Sequence, residues 1–413
     1  MITTDEALGI ILKKAKRLEP VSVPLTESLG KVLAEDIVSG DDIPPFANSA
    51  MDGYAVVASD TKDASEDTPV ELEVLEDQPA GTVATQAVRK GTAIRIMTGA
   101  PLPDGADAVV QVENTISGKD QRVRHGFVKI LKPVRATNNV REAGEDVKRG
   151  EIVLTAGTLL GPAALGLLAS LGHPHVKVFR PARIAIITTG DELLEIDQPL
   201  QPGKIRNSNA YSLYAQVEQT GAVPVKAGIS VDTKEALARI LKTALSDADI
   251  IMTTGGVSVG DYDLVKDVLD LLGAKLEFWR VAQKPGKPFG FWTYEGKSIF
   301  GLPGNPVATM VCFEEYVRPA ARKMMGYDLL FRPEVEATTT NDIKKKPGRI
   351  HFIRVIVEKN DNVYTVSSTG PQGSGILKSM VLANGLALIP ADIEFVQAGG
   401  KVKAHLIDQP EDH

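Results

Sequence analysis

The run Thr253-Thr254-Gly255-Gly256-Val257-Ser258-Val259-Gly260-Asp261-Tyr262-Asp263 combines small residues, which expose backbone N–H groups, with two carboxylates. It follows a β-like run at 249–252 and leads into an amphipathic segment at 264–272. A strand that ends in small residues where a helix begins offers an anion both N–H donors and a favourable helix dipole. Asp261 and Asp263, with Glu192 from a comparable loop, repel a phosphate unless a divalent cation lies between them. The chemistry implied is a Mg²⁺-assisted phosphate or nucleotide site. Glycine-rich loops also occur as plain tight turns, but two standard phosphate loops are excluded. Phe291 stands where a Walker A loop ending in Gly296-Lys297-Ser298 needs Gly, and Gly256-Val257-Ser258 breaks Gly-x-Gly-x-x-Gly.

A second constellation is Lys284-Pro285-Gly286-Lys287-Pro288-Phe289. Two lysines separated by Pro-Gly and backed by a further Pro sit on a rigid turn, which suits aiming positive charge at a fixed anion. The bland reading is a surface turn with solvated lysines. Gly301-Leu302-Pro303-Gly304-Asn305-Pro306 is another rigid loop, and a hairpin between the two turns brings them close together. Asn48-Ser49-Ala50-Met51-Asp52-Gly53, Met97-Thr98-Gly99 and Arg141-Glu142-Ala143-Gly144-Glu145-Asp146 are singly no more than turn formers. Together they are polar, Gly-adjacent loops of the kind a β module carries when it walls a site.

The elements that must hold these loops follow from hydrophobic period. Residues 4–18 carry apolar residues at helical spacing. From 56 to 133 short β-rich runs at 70–75, 93–97, 108–112 and 127–131 alternate with Gly, Pro and Asp turns, as in a compact β module. Mixed structure returns at 142–179, with an apolar helix at 162–171, so the β module reads as an insertion. From Arg183 the rhythm is α/β: strands at 184–188, 223–229 and 249–253, helices at 210–219 and 233–245. Strands buried on both faces imply a mostly parallel sheet with ligands at the strands' carboxyl ends, where Thr188-Thr189-Gly190-Asp191-Glu192 and the Gly255-Gly256 loop lie. A strand-like run at 276–281 precedes the lysine turn, and a helix is expected at 307–323. Beyond Met325 the chain is β-rich again, with a hairpin of 352–357 and 364–367. Lys344-Lys345-Lys346 before Pro347 reads as a solvated charged loop.

The expected fold is therefore multidomain: a mixed N-terminal domain in two segments (1–45 and 138–180), an inserted β-rich domain (46–137), a central α/β domain with a mostly parallel sheet (181–327) and a C-terminal β domain (328–413). At 413 residues with 43% hydrophobic and 24% charged, the chain has room for several cores. A net charge of -7 gives no general attraction to nucleic acid or to an anionic membrane, so any anion is bound by local design. The longest apolar stretch, 161–172, is too short to span a bilayer, and the N-terminus lacks a signal-like pattern, which points to the cytoplasm. The single cysteine, Cys312, sits in an apolar helical run as a buried thiol. The six histidines form no HExxH pattern, so nothing indicates zinc hydrolysis or a histidine-driven triad.

In order along the chain, the loops 49–56, 98–103, 142–146, 188–193, 205–209, 254–263, 284–289 and 301–306 resemble the motif set of the MoeA-type molybdopterin molybdenumtransferases, related to the E domain of gephyrin. The resemblance covers essentially the whole chain. It implies Mg²⁺-dependent insertion of molybdate into adenylylated molybdopterin with release of AMP, by a homodimer whose cleft lies between subunits. It further implies transient contact with the adenylyltransferase that supplies the substrate and with recipient molybdoenzymes.

On this resemblance Asp263 ligates Mg²⁺ with Glu192 as acidic neighbour, and Gly255, Gly256, Ser258 and Ser208 line the nucleotide and phosphate pocket. Lys284 and Lys287, with Pro288, Arg354 and Ser374, hold molybdate, Arg349 being the other candidate for the arginine. Asp52, Thr98 and Asp146 belong to functional loops without fixed chemical roles. One departure is Ala308, where many relatives carry Ser after Gly-Asn-Pro-Val; a lost neutral hydrogen bond costs on the order of 1 kcal/mol. The alternatives are a non-catalytic pterin- or nucleotide-binding scaffold, an adenylyltransferase acting one step earlier, and a tungstate-specific paralogue.

Overall fold

The computed structural model describes residues 1–117, 126–256, 264–361 and 363–408. Two compact units result: one formed by 1–34, 157–161 and 175–413, the other by 35–156 and 162–174. Among the described residues no helix is long and apolar enough to cross a membrane.

The second unit is built on a six-stranded sheet in the order Ala108–Gln111, Gly53–Val56, Thr92–Ile96, Val70–Gln78, Gly126–Ile130, Thr115–Ser117. Its inward residues, Val56, Ala93, Val110, Val128 and Ile130 among them, are fully buried. Beside this sheet, Asn48–Ser49 pairs antiparallel with Val140–Arg141. The chain therefore leaves Ser49 toward Asp52, and Arg141 toward Asp146, in opposite directions.

In the first unit, the strand Arg183–Thr189 is buried at every position after Arg183, as its continuous apolar run implies. It lies between Val223–Ser230 and Ile250–Thr254, and Lys297–Leu302 follows; all four are parallel. Gly290–Tyr294 then runs antiparallel, and Lys275–Trp279 completes the sheet. The helices Ser208–Thr220 and Lys234–Asp247 begin at Asn207 and Thr233, whose side chains accept the N–H of Ala210 and Ala236. One core holds Ile184, Ile186, Leu213, Phe289, Phe300 and Tyr316; a second holds Ala185, Leu241, Val265, Trp292 and Ile299. The helix expected over 307–323 is continuous from Pro306 to Met324 but contains a π-helical stretch, Phe313–Val317. That stretch precedes Pro319, which has no N–H to give an α-helical ladder.

The N-terminal helix Thr4–Lys14 opens with a capping box, in which the Thr3 side chain accepts the Glu6 N–H and the Glu6 carboxylate accepts the Thr3 N–H. It ends four residues earlier than its apolar pattern suggests, because Ala15 is already extended. Ala7 and Ile11 are buried in the first core, and the Lys323 ammonium caps the Leu12 carbonyl at 2.7 Å. The adjoining strand Pro20–Pro24 pairs antiparallel with His175–Phe179.

At the C-terminal end, Ile350–Asn360, Val363–Ser368, Glu334–Thr339, Lys401–Leu406 and Gly385–Ile389 pair in sequence. Gly385–Ile389 also pairs back to Ile350–Asn360, closing the strands into a barrel. A sixth, two-residue strand, Gln283–Lys284, joins it in parallel with Lys284 opposite His351. The turn that begins at Lys284 is thereby stitched to the barrel.

Asp249 locks the start of the central sheet. Its carboxylate takes both terminal nitrogens of Arg180 at 2.7 Å and the N–H of Arg183 at 2.9 Å. Burial raises its pKa, but these donors outweigh burial and hold the carboxyl below its usual range. A depressed folded-state pKa contributes stability that is present above the unfolded value, about 3.9, and is lost as pH falls through the folded value. Asp249→Asn is expected to lower the unfolding free energy at pH 7 by about 1–3 kcal/mol. In denaturant titrations between pH 7 and 3, the variant should also lose part of the acid-induced fall in stability. An unchanged pH profile would remove this role from Asp249.

Candidate active site

The loops after Arg183–Thr189, Ile250–Thr254 and Lys297–Leu302 leave the carboxyl ends of three adjacent parallel strands, where open α/β sheets bind ligands. They enclose a cavity of about 280 Å³ lined by Thr188, Thr189, Glu192, Ser208, Asn209, Thr254, Gly255 and Gly304, with Gly375 from the barrel side. Gly255 has φ +89°, and a Cβ there would lie 2.2 Å from the Thr189 carbonyl oxygen, so only glycine lets the loop lie against the neighbouring strand. Asn209 ties two of the loops, donating to the Thr254 hydroxyl at 2.9 Å and the Gly304 carbonyl at 2.8 Å.

Two buried oxygens in this cavity, Thr189 Oγ1 and Asn209 Oδ1, have no hydrogen-bond partner among the described residues. Buried polar atoms are seldom orphaned, so these are positions a ligand would satisfy. With the exposed Glu192 carboxylate, the available donors are all oxygens, which suits a hard cation such as Mg²⁺ and the polar edge of a nucleotide. Among the described residues no three His, Cys, Asp or Glu side chains form a metal cage. Ser258 and Asp263 lie outside the described residues. Nearby, burial and then the negative charges of Asp191 and Glu192 push the Asp232 carboxyl up.

A second cavity, about 620 Å³, shares a wall with the first. It is lined by Lys284 and Lys287 with their Pro-Gly turn, by Pro288, Pro303, Asn305 and Ala308, and by Arg349, Gln372 and Ser374 from the barrel side. The loop 303–306 separates the two cavities, Pro303 and Asn305 facing one, Gly304 and Pro306 the other. The Val307 N–H donates to the Ser374 carbonyl at 3.1 Å, fixing barrel loop to helix. At Ala308, 2% exposed, no hydroxyl is present. Thr309 does not replace it, because its own hydroxyl donates to the carbonyls of Pro303 and Asn305.

Behind the turn, the buried Gln283 side chain donates to Cys312 Sγ at 3.3 Å and accepts from the Tyr316 hydroxyl. Burial pushes the Cys312 thiol strongly up, so it stays protonated, as the sequence context implied.

Arg354 stands apart. It is 1% exposed, and its guanidinium donates to the Ser379 hydroxyl at 3.1 Å and the Gly373 carbonyl at 3.0 Å. Burial lowers its pKa to about 10. It braces the loop that carries Ser374, and of the two candidate arginines Arg349 is the one that lines the cavity. Sequence reasoning quoted the loops that hold Thr189, Asn209 and Asn305 but gave these three residues no role, and it missed Gln372. Asn209 follows Ser208 within the quoted 205–209 loop, so a search for polar residues in a helix's first turn would have found it.

In the other unit, the Asp52 carboxylate accepts both the N–H and the hydroxyl of Thr98, at 2.8 and 2.7 Å, which holds its carboxyl below the usual range. Those two expected residues form one pair. Asp146 is exposed, and its N–H donates to the Ile43 carbonyl at the opposite end of the small ladder, away from Asp52.

Comparison with known proteins accounts for nearly the whole chain. Residues 2–172 match the MoeA N-terminal region (domain I and II), 185–323 a probable molybdopterin binding domain, and 336–407 the MoeA C-terminal region (domain IV). The chain is 40% identical over 408 residues to Molybdopterin molybdenumtransferase 2 of Mycobacterium tuberculosis, covering 98% of this chain and 99% of that one. It is 36% identical over 406 residues to the molybdopterin molybdenumtransferase of Bacillus subtilis, covering 98% and 94%. The crystal structure of a molybdopterin biosynthesis moeA protein from Pyrococcus horikoshii superposes with a TM-score of 0.81 at 35% identity, covering 98% and 100%.

Proposed function

The chain belongs to the MoeA family and is a molybdopterin molybdenumtransferase, and from that premise we propose that its two adjoining cavities divide the reaction between them. The cavity at the strand ends takes the adenylylated pterin, with Gly255, Gly256, Ser208 and Ser258 at its phosphates. The lysine-lined cavity takes molybdate on Lys284, Lys287, Arg349 and Ser374, beside Pro288. The observation that supports this reading is the shared wall at 303–306, with a lysine-lined cavity on one side and the strand-end cavity on the other.

Charge explains the arrangement. Two unit anions 4 Å apart repel by about 4 kcal/mol at an effective dielectric of 20, and dianions by several times more. Lys284, Lys287 and Arg349 offset that repulsion on the molybdate side. On the adenylate side, Glu192 and Asp263 would hold Mg²⁺, which supplies charge neutralisation at the phosphates when bound. Thr189 and Asn209 present oxygens to the same pocket and orient its contents. Molybdate held in place would exchange two of its four oxygens for the two pterin sulfurs, the oxygens leaving as water with protons from the dithiol and from solvent, and one water would cleave the P–O–P bond to give AMP and the pterin phosphate.

Asp52, Thr98 and Asp146 enter this reading through the family resemblance, together with assembly as a homodimer in the cytoplasm. The four-domain division, 1–45 with 138–180, 46–137, 181–327 and 328–413, is part of the same proposal; separate sheets in the inserted, central and C-terminal parts support it.

The test is AMP release from adenylylated molybdopterin with Mg²⁺, comparing no oxyanion, molybdate and tungstate, with the product assayed by reconstitution of an apo-molybdoenzyme. Oxyanion-dependent release with active cofactor is expected. Tight adenylate binding without release would favour the scaffold reading and point to Ala308. Lys287→Ala is expected to raise the molybdate concentration for half-maximal release by about 10- to 100-fold, the loss of one charge-assisted hydrogen bond. Adenylate affinity should change far less; the opposite ordering would move Lys287 to the nucleotide.

A further inference from the structure

On the barrel side of Lys284 lies a third cavity, about 500 Å³, lined by Lys284, Lys344, Lys345, Lys346, Arg349 and His351, with Asp342, Ser368 and Gln372. It shares Lys284, Arg349 and Gln372 with the lysine-lined pocket. Five cations face it against one lining carboxylate. None of the five has an ion-pair partner among the described residues, and Asp342 is occupied in accepting the Ala398 N–H at 2.9 Å. Lys345 donates to the carbonyls of Arg349 and Ala391 at 3.1 and 3.2 Å, with Asp392 and Glu394 offsetting part of its charge, and the Lys344 ammonium lies 5.5 Å from the centre of the Phe395 ring. The run 344–346 lines this pocket while Lys344 and Lys346 stay exposed to solvent, as expected of a charged loop.

His351 is 5% exposed, and its ring nitrogens have no hydrogen-bond partner among the described residues. Burial, and then Lys284, Lys345 and Arg349, push its pKa down to about 4, so the ring is neutral at pH 7. Gln372 makes the partition between the two cavities rigid: its amide donates to the Arg354 and Gly370 carbonyls at 3.1 Å, and its oxygen accepts the Arg354 N–H at 2.9 Å. Like charges gathered around a cavity repel one another unless an anion enters.

We propose that this cavity is an antechamber that captures a tetrahedral dianion from solution, still hydrated, beside the pocket where the anion reacts. The proposal rests on the function proposed above for the lysine-lined pocket. Two properties set the ligand class. The volume accommodates a small oxyanion with a shell of water, at roughly 30 Å³ per water. Lysines, which are compact and strongly hydrated charges, suit a hydrated anion better than a stripped one. Because Lys284 and Arg349 border both cavities, an anion moving from one to the other keeps the same two cations.

The experiment is equilibrium dialysis of the full-length protein with molybdate, sulfate or phosphate and no pterin, alongside molybdate-dependent AMP release. Wild type should bind two molybdates per chain. Lys344→Gln/Lys346→Gln should bind one, and its kcat/KM for molybdate should fall roughly tenfold with kcat unchanged, the loss of local charge focusing. Lys346→Gln alone serves if the double variant unfolds, and should show a smaller fall in the same parameter. A single site in wild type, or an unaltered kcat/KM in a folded variant, would overturn the proposal. Equal displacement by sulfate or phosphate would identify a pocket for any ambient tetrahedral dianion; selective retention of molybdate would identify a dedicated one. Two bound anions without AMP release would sink the reaction assignment and leave the antechamber standing, whereas release with one bound anion would do the reverse.

Discussion

Gly286→Val should reduce molybdate-dependent AMP release by about 100-fold while leaving the protein folded and able to bind the adenylate. Gly286 sits between the two lysines at φ +92°, in the left-handed region that valine rarely adopts. A Cβ at this position would lie 2.5 Å from Cys312 Sγ and 2.5 Å from Gln283 Nε2. Neither neighbour can move away easily, because Cys312 is fully buried on its helix and Gln283 is held by the Tyr316 hydroxyl. The turn itself must shift outward, carrying Lys284 and Lys287 with it. A displacement of about 1 Å in a positioning group is enough for a 100-fold loss. Gly296→Val is the matching control: φ is +80°, so the backbone cost is similar, but a Cβ there meets nothing within 4 Å. If both variants lose activity equally, backbone strain and not the buried contact is responsible. If Gly286→Val turns over normally, the turn does not aim the lysines.

Asp263→Ala should abolish Mg²⁺-dependent AMP release, a loss on the order of 1000-fold or about 4 kcal/mol of transition-state stabilisation. The acidic group follows the strand Ile250–Thr254, whose carboxyl end borders the proposed adenylate cavity. A carboxylate beside a phosphate opposes its binding unless it holds a cation. Removing it should therefore leave adenylate affinity equal or improved in the absence of Mg²⁺, and remove the gain that Mg²⁺ gives to wild type. Binding titrations with and without Mg²⁺ separate these effects from misfolding. Normal turnover in the variant would withdraw Asp263 from the metal.

Much of this was legible in the chain because burial on both faces leaves a strong pattern. The runs at 184–188 and 249–253 could only be interior strands, and the loops at their ends were correspondingly visible. The Pro-Gly spacing of Lys284 and Lys287 identified a turn before any coordinates did. What the chain did not disclose depends on pairing between distant segments. Closure of the barrel requires Gly385–Ile389 to find Ile350–Asn360, and neither segment's composition names its partner.

The same closure explains the arginine. His351, Phe352, Ile353, Arg354 and Val355 are all buried, so no alternation along the strand distinguishes an inward arginine from an outward one. Arg349, just before the strand, is free to face the cavity. Lys344 and Lys346 are solvated, as expected, but that they also line a cavity was not legible, because it depends on the parallel pairing of Lys284 with His351 that brings a further positive wall near them. Thr189 and Asn209 were hidden because an orphaned oxygen is a property of three-dimensional surroundings, not of residue type.

The contact between Lys323 and the Leu12 carbonyl spans 311 residues of sequence. During synthesis, the segment Thr4–Lys14 leaves the ribosome long before the surface that buries Ala7 and Ile11 is made. At about 5–20 residues per second, that interval is roughly 15–60 s. For this time the apolar residues of segment 4–14 stay uncovered, and an isolated segment of this length is at best a marginal helix, while the inserted β unit has already been synthesised downstream. The segment 4–14 is thus among the last parts of this unit to be covered, although it is made long before the surface that covers it.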